Sequence, residues 1–261
     1  MRRGGRIWAW FWMALGILYF FLPLFATFWF SLHAKKGVLS FLAYENIFRS
    51  RAFVYNFSSS VLWAVLTIVV GVLVFVPTAY VIRLRVPQFR APVEFITLLP
   101  FVTPAIVYVF ALVRTFSRPP LLIVDTPGLL IAAYTILCMP YMYSAVDTGL
   151  RAIDVRTLTE AAQSLGGGWG VILFRIILPN IRVAILSGMF LSFAIVMGEM
   201  ILAQYLVKPA FAPYMAYLMQ QKAYEPAALA VISFALTWAS MGIIQFAGRG
   251  VPGQAQVAAG H

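Results

Sequence analysis

The chain has 261 residues, of which 62% are hydrophobic and only 10% are charged, and its mean hydropathy is +0.90. Soluble domains carry about 45–50% apolar and about 25% charged residues, so this chain lacks the polar side chains to cover a soluble surface. The composition argues against soluble enzymes, disordered proteins and nucleic-acid-binding modules, and it predicts an integral membrane protein.

Six long apolar segments follow one another along the chain. Five contain no charged residue, and the fifth in order contains only Glu199. A helix needs about 20 apolar residues to cross a bilayer, and runs of this length favour helices over barrel strands. We predict an all-α integral membrane fold with six transmembrane helices in a single domain, residues 1–250, and a disordered tail at 251–261. The predicted spans are residues 7–32, 52–82, 95–113, 126–146, 183–207 and 226–248.

Basic residues between the spans predict the orientation of the chain. With the N-terminus inside, eleven Lys and Arg residues fall in inner segments and eight in outer ones. This distribution follows the positive-inside rule, and it accounts for the net charge of +11 through cytoplasmic loops and anionic lipid. We therefore predict that both termini are cytoplasmic and that no nucleic acid is bound.

Prolines interrupt several predicted spans. In membrane proteins such residues usually produce kinks that neighbouring helices stabilise. Alternatively, the bends near residues 100–104 and 140 line a path and permit rearrangement. The prolines concerned are Pro23, Pro77, Pro100, Pro104 and Pro140.

The longest predicted cytoplasmic connection, residues 151–182, contains a short helix. We expect Thr157 or Thr159 to cap this helix, which runs to about Leu165. Gly166 and the two glycines after it should end the helix, because glycine tolerates the left-handed conformation. Such a helix across the cytoplasmic mouth is suited to transmitting force from a soluble partner.

The same connection contains a spaced pattern of residues: Glu160, Ala161, Ala162, Gly166, Ile176, Leu178 and Pro179. An E-A-A triplet alone would be typical of an amphipathic interfacial helix, but here a glycine and an Ile-x-Leu-Pro sequence follow it. At this spacing the pattern resembles the EAA signature of a known family, the permease subunits of bacterial ABC importers of the type I fold. The loop also lies between the fourth and fifth spans, as in the family.

The resemblance implies a permease subunit in the bacterial inner membrane, closest to the spermidine/putrescine branch. It implies that the loop is a coupling helix, in which Glu160 makes a charged contact with a separate ATPase subunit. Ala161 and Ala162 would allow close approach, and Gly166 would permit the sharp turn. The implied partners are a second permease subunit in a heterodimer, two ATP-binding subunits, an extracytoplasmic substrate-binding protein and membrane lipids. The implied substrate is a polyamine, with phosphonate, iron and thiamine as alternatives.

The sequence lacks the motifs of a catalytic subunit. It has no GxxxxGK[ST] phosphate loop, no HExxH, no GxSxG and no Cys/His cluster, and Cys138 is its single cysteine. We expect no catalytic residue, no metal and no cofactor in this chain. ATP and Mg²⁺ would bind to the partner ATPase.

Glu199 is the candidate for contact with substrate, because ionisable groups inside spans are costly and are functional candidates by default. It could instead be a gate or interface residue that never meets substrate, while Asp147, at the end of the fourth span, is interpreted as an interface charge. The alternative function is a secondary transporter or channel in which Glu199 carries a proton or cation, although no inverted repeat is visible. A structural membrane subunit is a second alternative.

Overall fold

The protein is described by a computed structural model that covers the backbone of residues 3–35 and 37–248, with side chains from 8–35 and 37–239. The predicted disordered tail, residues 251–261, lies outside the described residues. Within these ranges the chain forms helices and no β-strand. The predicted all-α class is confirmed for this part of the chain.

The described residues form thirteen α-helices, joined by short turns. A 3₁₀ turn at Pro87–Phe89 precedes the fourth helix, and a π-helical stretch at Ile172–Ile177 joins the eighth to the ninth. The helices are α1 Arg3–Ser31, α2 Leu42–Arg49, α3 Arg51–Leu84, α4 Arg90–Val102, α5 Ala105–Phe116, α6 Pro127–Arg151, α7 Val155–Ser164, α8 Trp169–Val171, α9 Leu178–Asn180, α10 Arg182–Gly198, α11 Ile201–Tyr205, α12 Phe211–Gln221 and α13 Tyr224–Gly248.

Three of the described helices, α1, α3 and α6, are long and apolar enough to cross a membrane. The number rises to five if each of two sharply bent helix pairs counts as one span. Helix α13 coincides with the sixth predicted span, and Tyr224–Ala239 within it is a shorter apolar helix. The count of six spans therefore stays a prediction.

The third predicted span, residues 95–113, is not one continuous helix. It is divided between α4 and α5, whose axes differ by 101°. Thr103 is extended, with φ −88° and ψ 116°, and Pro104 follows it. Proline has no N–H to donate and disfavours helical geometry at the residue before it, so the break falls at this pair. Pro100, by contrast, lies inside α4.

The fifth predicted span, residues 183–207, is also interrupted. Helix α10 ends at Gly198, Glu199 is extended with φ −77° and ψ 122°, and the short α11 follows. At the other end, α10 meets the preceding segment Trp169–Asn180 at 78°. A helix of 17 residues is about 26 Å long, shorter than the hydrocarbon core of about 30 Å.

The chain divides into two compact units, described separately here. The first contains the residues up to Tyr55 together with Tyr214–Ala239. Within it, Ser31 and Tyr44 share a hydrogen bond of 2.7 Å between their hydroxyl oxygens. Glu225 at the start of α13 accepts hydrogen bonds from Asn46 at 3.3 Å and from Lys222 at 2.8 Å. The predicted single domain, residues 1–250, stays a prediction.

The second unit, Asn56–Pro213 with the described residues from Ser240 onward, contains two larger apolar cores along α3, α6 and α10 and a smaller one around Met142. One joins the end of α3 and the end of α6 to α7 and the π-helical stretch. The other joins α5 and α11 to the opposite parts of the long helices. Helices α6 and α10 approach so closely that a Cβ on Gly149 would lie 2.6 Å from the Cβ of Ala184. Small residues permit such contacts between membrane helices.

Candidate functional site

Helix α7 begins with a side-chain cap from Asp154. The carboxylate of Asp154 accepts hydrogen bonds from the backbone N–H of Thr157 at 3.1 Å and from its hydroxyl at 2.7 Å. The bonds from the side chain and backbone of Thr157 lower the pKa of Asp154, because they stabilise the charged form. The prediction that Thr157 or Thr159 caps the helix was therefore wrong, whereas the predicted end of the helix near Leu165 is confirmed.

Helix α7 is anchored to α3 by a buried polar contact. The hydroxyl of Thr159 donates to the carbonyl of Val155 at 2.7 Å, so the hydroxyl of Tyr80 donates to Thr159 at 3.1 Å. Around this contact, Val155 and Ala162 belong to the apolar core that the ends of α3 and α6 share. One face of α7 is thus fixed against its own chain. The role of Tyr80 could not be predicted from the sequence, because a tyrosine in an apolar span gives no signal of a distant partner.

The turn after α7 requires glycine at two positions. Gly166 has φ +77°, the left-handed conformation expected of it. A Cβ on Gly167 would lie 2.8 Å from the carbonyl oxygen of Ala162, which already accepts the N–H of Gly167 at 2.8 Å. The turn is therefore tight enough to reverse the chain directly beneath the helix.

The segment between this turn and α10, the returning segment, is a distorted helix that continues through Pro179. Residues Ile172–Ile177 are π-helical, and α9 contains Leu178 and Pro179. In a regular α-helix the ring of Pro179 would meet the carbonyl of Arg175, so widening of the turn before it relieves the clash. Leu178 is half-buried and Pro179 is exposed.

The three residues of the EAA triplet lie in different environments. Glu160 and Ala161 are exposed, whereas Ala162 is buried in the core of its own chain. Glu160 forms an ion pair with Arg156 at 2.8 Å, and both side chains are more than half exposed. At the tip of the loop, Leu165 has 90% of its surface exposed. The exposed face of α7 therefore presents an acidic group and an apolar group next to small residues.

An ion network that the sequence did not predict lies beside the loop. Asp147 of α6 is only 7% exposed and pairs with Arg83 at 3.0 Å and with Arg151 at 2.5 Å. Glu94 of α4 pairs with Arg151 at 3.0 Å and with Arg90 at 2.9 Å. The network links the ends of α3 and α6 to α4. Asp147, which we interpreted as an interface charge, has partners within its own chain.

Glu199 lies at the break between α10 and α11, and its carboxylate binds backbone groups. It accepts hydrogen bonds from the N–H groups of Ile201 at 2.8 Å and Leu202 at 2.9 Å, with a longer contact of 3.4 Å from Ala203. These are the first residues of α11, whose N–H groups have no partner inside the helix. Glu199 is half-buried, and the structure places it as a cap of α11.

Among the residues that the structure describes, no group of three His, Cys, Asp or Glu side chains is arranged to hold a metal ion. Cys138 is buried in α6, and its thiol lies 3.7 Å from the carbonyl oxygen of Ser192.

Residues 76–247, which include the whole of this loop, match the family described as the binding-protein-dependent transport system inner membrane component. The chain belongs to this family. The match confirms the predicted family and the assignment to the inner membrane. It covers both α7 and the ion network beside it.

Individual relatives agree with this assignment. The chain is 32% identical over 112 residues to the spermidine/putrescine transport system permease protein PotC of Escherichia coli, a match that covers 41% of this chain and 42% of PotC. It is 29% identical over 130 residues to the ferric transport system permease protein FbpB of Actinobacillus pleuropneumoniae, covering 50% of this chain and 18% of that protein. The chain thus spans less than half the length of these curated relatives.

The fold of this inner membrane component also resembles that of a solved transporter. A chain of the bacterial alginate ABC transporter, solved in complex with an alginate pentasaccharide-bound periplasmic protein, superimposes with a TM-score of 0.68. The two chains are 16% identical, and the match covers 94% of each. At this identity the likeness concerns the fold.

Proposed function

We propose that this inner membrane component is a permease subunit of an ATP-driven importer and forms half of a substrate translocation path. In this proposal the chain crosses the membrane six times, with both termini and the loop 151–182 in the cytoplasm. Family membership and the likeness of the fold to a transporter chain support the proposal. Closure of a partner ATPase on ATP would draw the loops of two permease subunits together and switch the path between two states.

The geometry of α7 is the observation on which the coupling role depends. One face of the helix is fixed to α3 and α6 through Tyr80 and the apolar core, while the other presents Glu160, Ala161 and Leu165 to solvent. A movement imposed on the exposed face would therefore reach the long helices through packed contacts. In this role Glu160 and Leu165 contact the ATPase, and Ala162 and Gly166 shape the loop.

Glu160 can exchange its ion-pair partner Arg156 for another basic group at a low cost in free energy. Both side chains are largely exposed, and such surface ion pairs contribute little to stability. A basic group on an ATPase surface can therefore replace or join Arg156 at little cost to the stability of the chain.

Replacement of this carboxylate tests the coupling role. We expect Glu160→Ala to lower transport and the stimulation of ATP hydrolysis at least tenfold, with membrane insertion unchanged. The measurement is ATP hydrolysis and uptake by the complex in proteoliposomes. Glu45→Ala is the matched control, because Glu45 also pairs with an arginine four residues away, Arg49, on an exposed helix. Wild-type uptake and hydrolysis in the Glu160 variant would refute the coupling role.

For the substrate we propose a polyamine, and ferric iron is the rival that the relatives suggest. PotC is named for spermidine and putrescine, and FbpB for ferric transport. Uptake of labelled putrescine, spermidine and ferric ion would be compared in membrane vesicles with and without this chain. ATP-dependent uptake of a polyamine supports the proposal, and uptake of iron alone would overturn this assignment.

The proposed partners are a second permease subunit, two ATP-binding subunits and an extracytoplasmic substrate-binding protein. The alginate transporter, solved with a periplasmic protein, supports the last of these. The alternative of a secondary transporter that uses Glu199 gains nothing from the structure, since backbone N–H groups of α11 occupy that carboxylate. Gentle extraction of the tagged chain and mass spectrometry of the proteins that co-purify would identify the partners.

A further inference from the structure

A cavity of about 510 Å³ lies between the end of α3, α7 and the start of the returning segment. Its lining is amphipathic. Leu84 and Ile172 contribute apolar surface, while Arg85, Arg156 and Glu160 contribute charge. A water molecule takes up about 30 Å³ of liquid, so the cavity has room for a phosphate group, a glycerol unit and several waters.

The charges that line this cavity do not balance. Arg156 is paired with Glu160, whereas Arg85, an exposed residue of the lining, has no ion-pair partner among the described residues. A guanidinium group offers a planar fork of donors that fits phosphate oxygens. The cavity therefore has the chemistry to bind one singly charged phosphate.

The position of the cavity suggests where this phosphate comes from. Arg85 follows the 34-residue α3, which is about 51 Å long and exceeds the hydrocarbon core of about 30 Å, so its basic end lies beyond the acyl chains. Trp169, which also lines the cavity, is 47% exposed, and Trp is enriched at the membrane interface. Val171 and Phe174 are exposed on the same segment, as in a helix that lies on a membrane surface.

We propose that the cavity binds the phosphodiester headgroup of an anionic phospholipid from the cytoplasmic leaflet, with Arg85 as its charged ligand. The glycerol and the first acyl carbons lie against Leu84 and Ile172. Because Glu160 and Arg156 form the rim, the bound lipid contacts the helix that we propose to be the coupling helix. The inference rests on the proposed topology of the loop, but it requires neither transport nor an ATPase.

The binding test uses the whole chain purified in detergent and native mass spectrometry. The chain is titrated with phosphatidylglycerol, with zwitterionic phosphatidylcholine and with inorganic phosphate. We expect phosphatidylglycerol to bind best, Arg85→Gln to weaken its binding at least fivefold, and Arg85→Lys to weaken it less. Arg175→Gln is the matched control, since Arg175 is an exposed arginine of the same loop that does not line the cavity.

Three results would overturn the proposal. Unchanged lipid binding by the Arg85→Gln variant would show that Arg85 is not the ligand of the phosphate. An equal loss of lipid binding in the Arg175→Gln variant would show that lipid is attracted to any surface arginine. Inorganic phosphate binding as tightly as phosphatidylglycerol would assign the cavity to a free anion. Elution profiles and thermal unfolding of each variant confirm that it is folded. Failure of the coupling test at Glu160 leaves this measurement unaffected.

Discussion

At the scale of single residues, Glu199 ends one helix and begins the next. Its two oxygens accept N–H groups that would otherwise lie unpaired at the start of α11. We expect Glu199→Ala to lower the free energy of unfolding by about 1 kcal/mol, as for the loss of other helix caps. Glu199→Gln keeps one carbonyl acceptor and should cost less. Unfolding of the detergent-purified chain, followed by circular dichroism, measures both.

Uptake by the same two variants, Glu199→Ala and Glu199→Gln, distinguishes the structural role of Glu199 from a role in the transport path. If the carboxylate only caps α11, the Gln variant keeps most of its uptake. A Gln variant that is as stable as the wild type but has lost uptake would show instead that the charge itself acts in the path.

Asp154 makes the start of α7 sensitive to acid. Its pKa is lower in the folded chain than its ordinary value, because its bonds to Thr157 favour the charged form. The stabilisation is therefore complete above the ordinary pKa and is lost as the pH falls through the lowered folded value. We expect the amides of Val155–Ser164 to exchange faster in Asp154→Ala than in the wild type at neutral pH. The difference should shrink as Asp154 becomes protonated.

A hydrogen-exchange difference that persisted unchanged in strong acid would contradict this account, because the capping bonds would then not depend on the charge. Thr126→Ala provides a control, since Thr126 precedes α6 without a side-chain cap. The sequence predicted a cap in this region but assigned it to Thr157 or Thr159, which was wrong. Asp154, Thr157 and Thr159 are all good capping types, and the contact of Thr159 with Tyr80 of a distant helix is not visible in the sequence.

At the scale of helices, the contact between α6 and α10 depends on glycine. A Cβ on Gly149 would lie 2.6 Å from that of Ala184, and neither atom can rotate away. We expect Gly149→Ala to destabilise the chain by about 1–3 kcal/mol, the usual cost of overpacking. Gly128→Ala, near the other end of α6, meets only Thr126 at 3.8 Å and should have little effect. Thermal unfolding midpoints compare the two; equal midpoints would mean that the helices separate freely.

Hydropathy predicted where the helices lie but not where two of them break. Five prolines interrupt the predicted spans, yet Pro23, Pro77, Pro100 and Pro140 lie inside continuous helices. Only Pro104 coincides with a break, because Thr103 before it is extended. The break at Glu199 is similar: a lone charge in an apolar run signals importance, but whether it binds a ligand or backbone depends on the fold around it.

At the scale of the whole molecule, α6 determines which loops share a side of the membrane. It is 25 residues and about 38 Å long, enough to cross once, and separates Ser117 from Ser164. We expect Ser164→Cys to react with a membrane-impermeant maleimide only after cells are opened. Ser117→Cys should react in intact spheroplasts. Both serines are exposed, so the contrast reports topology and not burial.

The native thiol does not interfere with this measurement, because Cys138 is buried at 2% exposure and should remain unlabelled in the folded chain. The result is independent of whether α4 with α5, or the segment before α10 with α10, counts as one span, since α6 is the one candidate span among the described residues between the two sites. Labelling of both cysteines from the same side would refute the crossing by α6, and labelling of Ser164→Cys from outside with Ser117→Cys labelled only after opening would invert the topology. Any labelling of Ser164→Cys from outside would remove the loop 151–182 from the reach of a cytoplasmic ATPase.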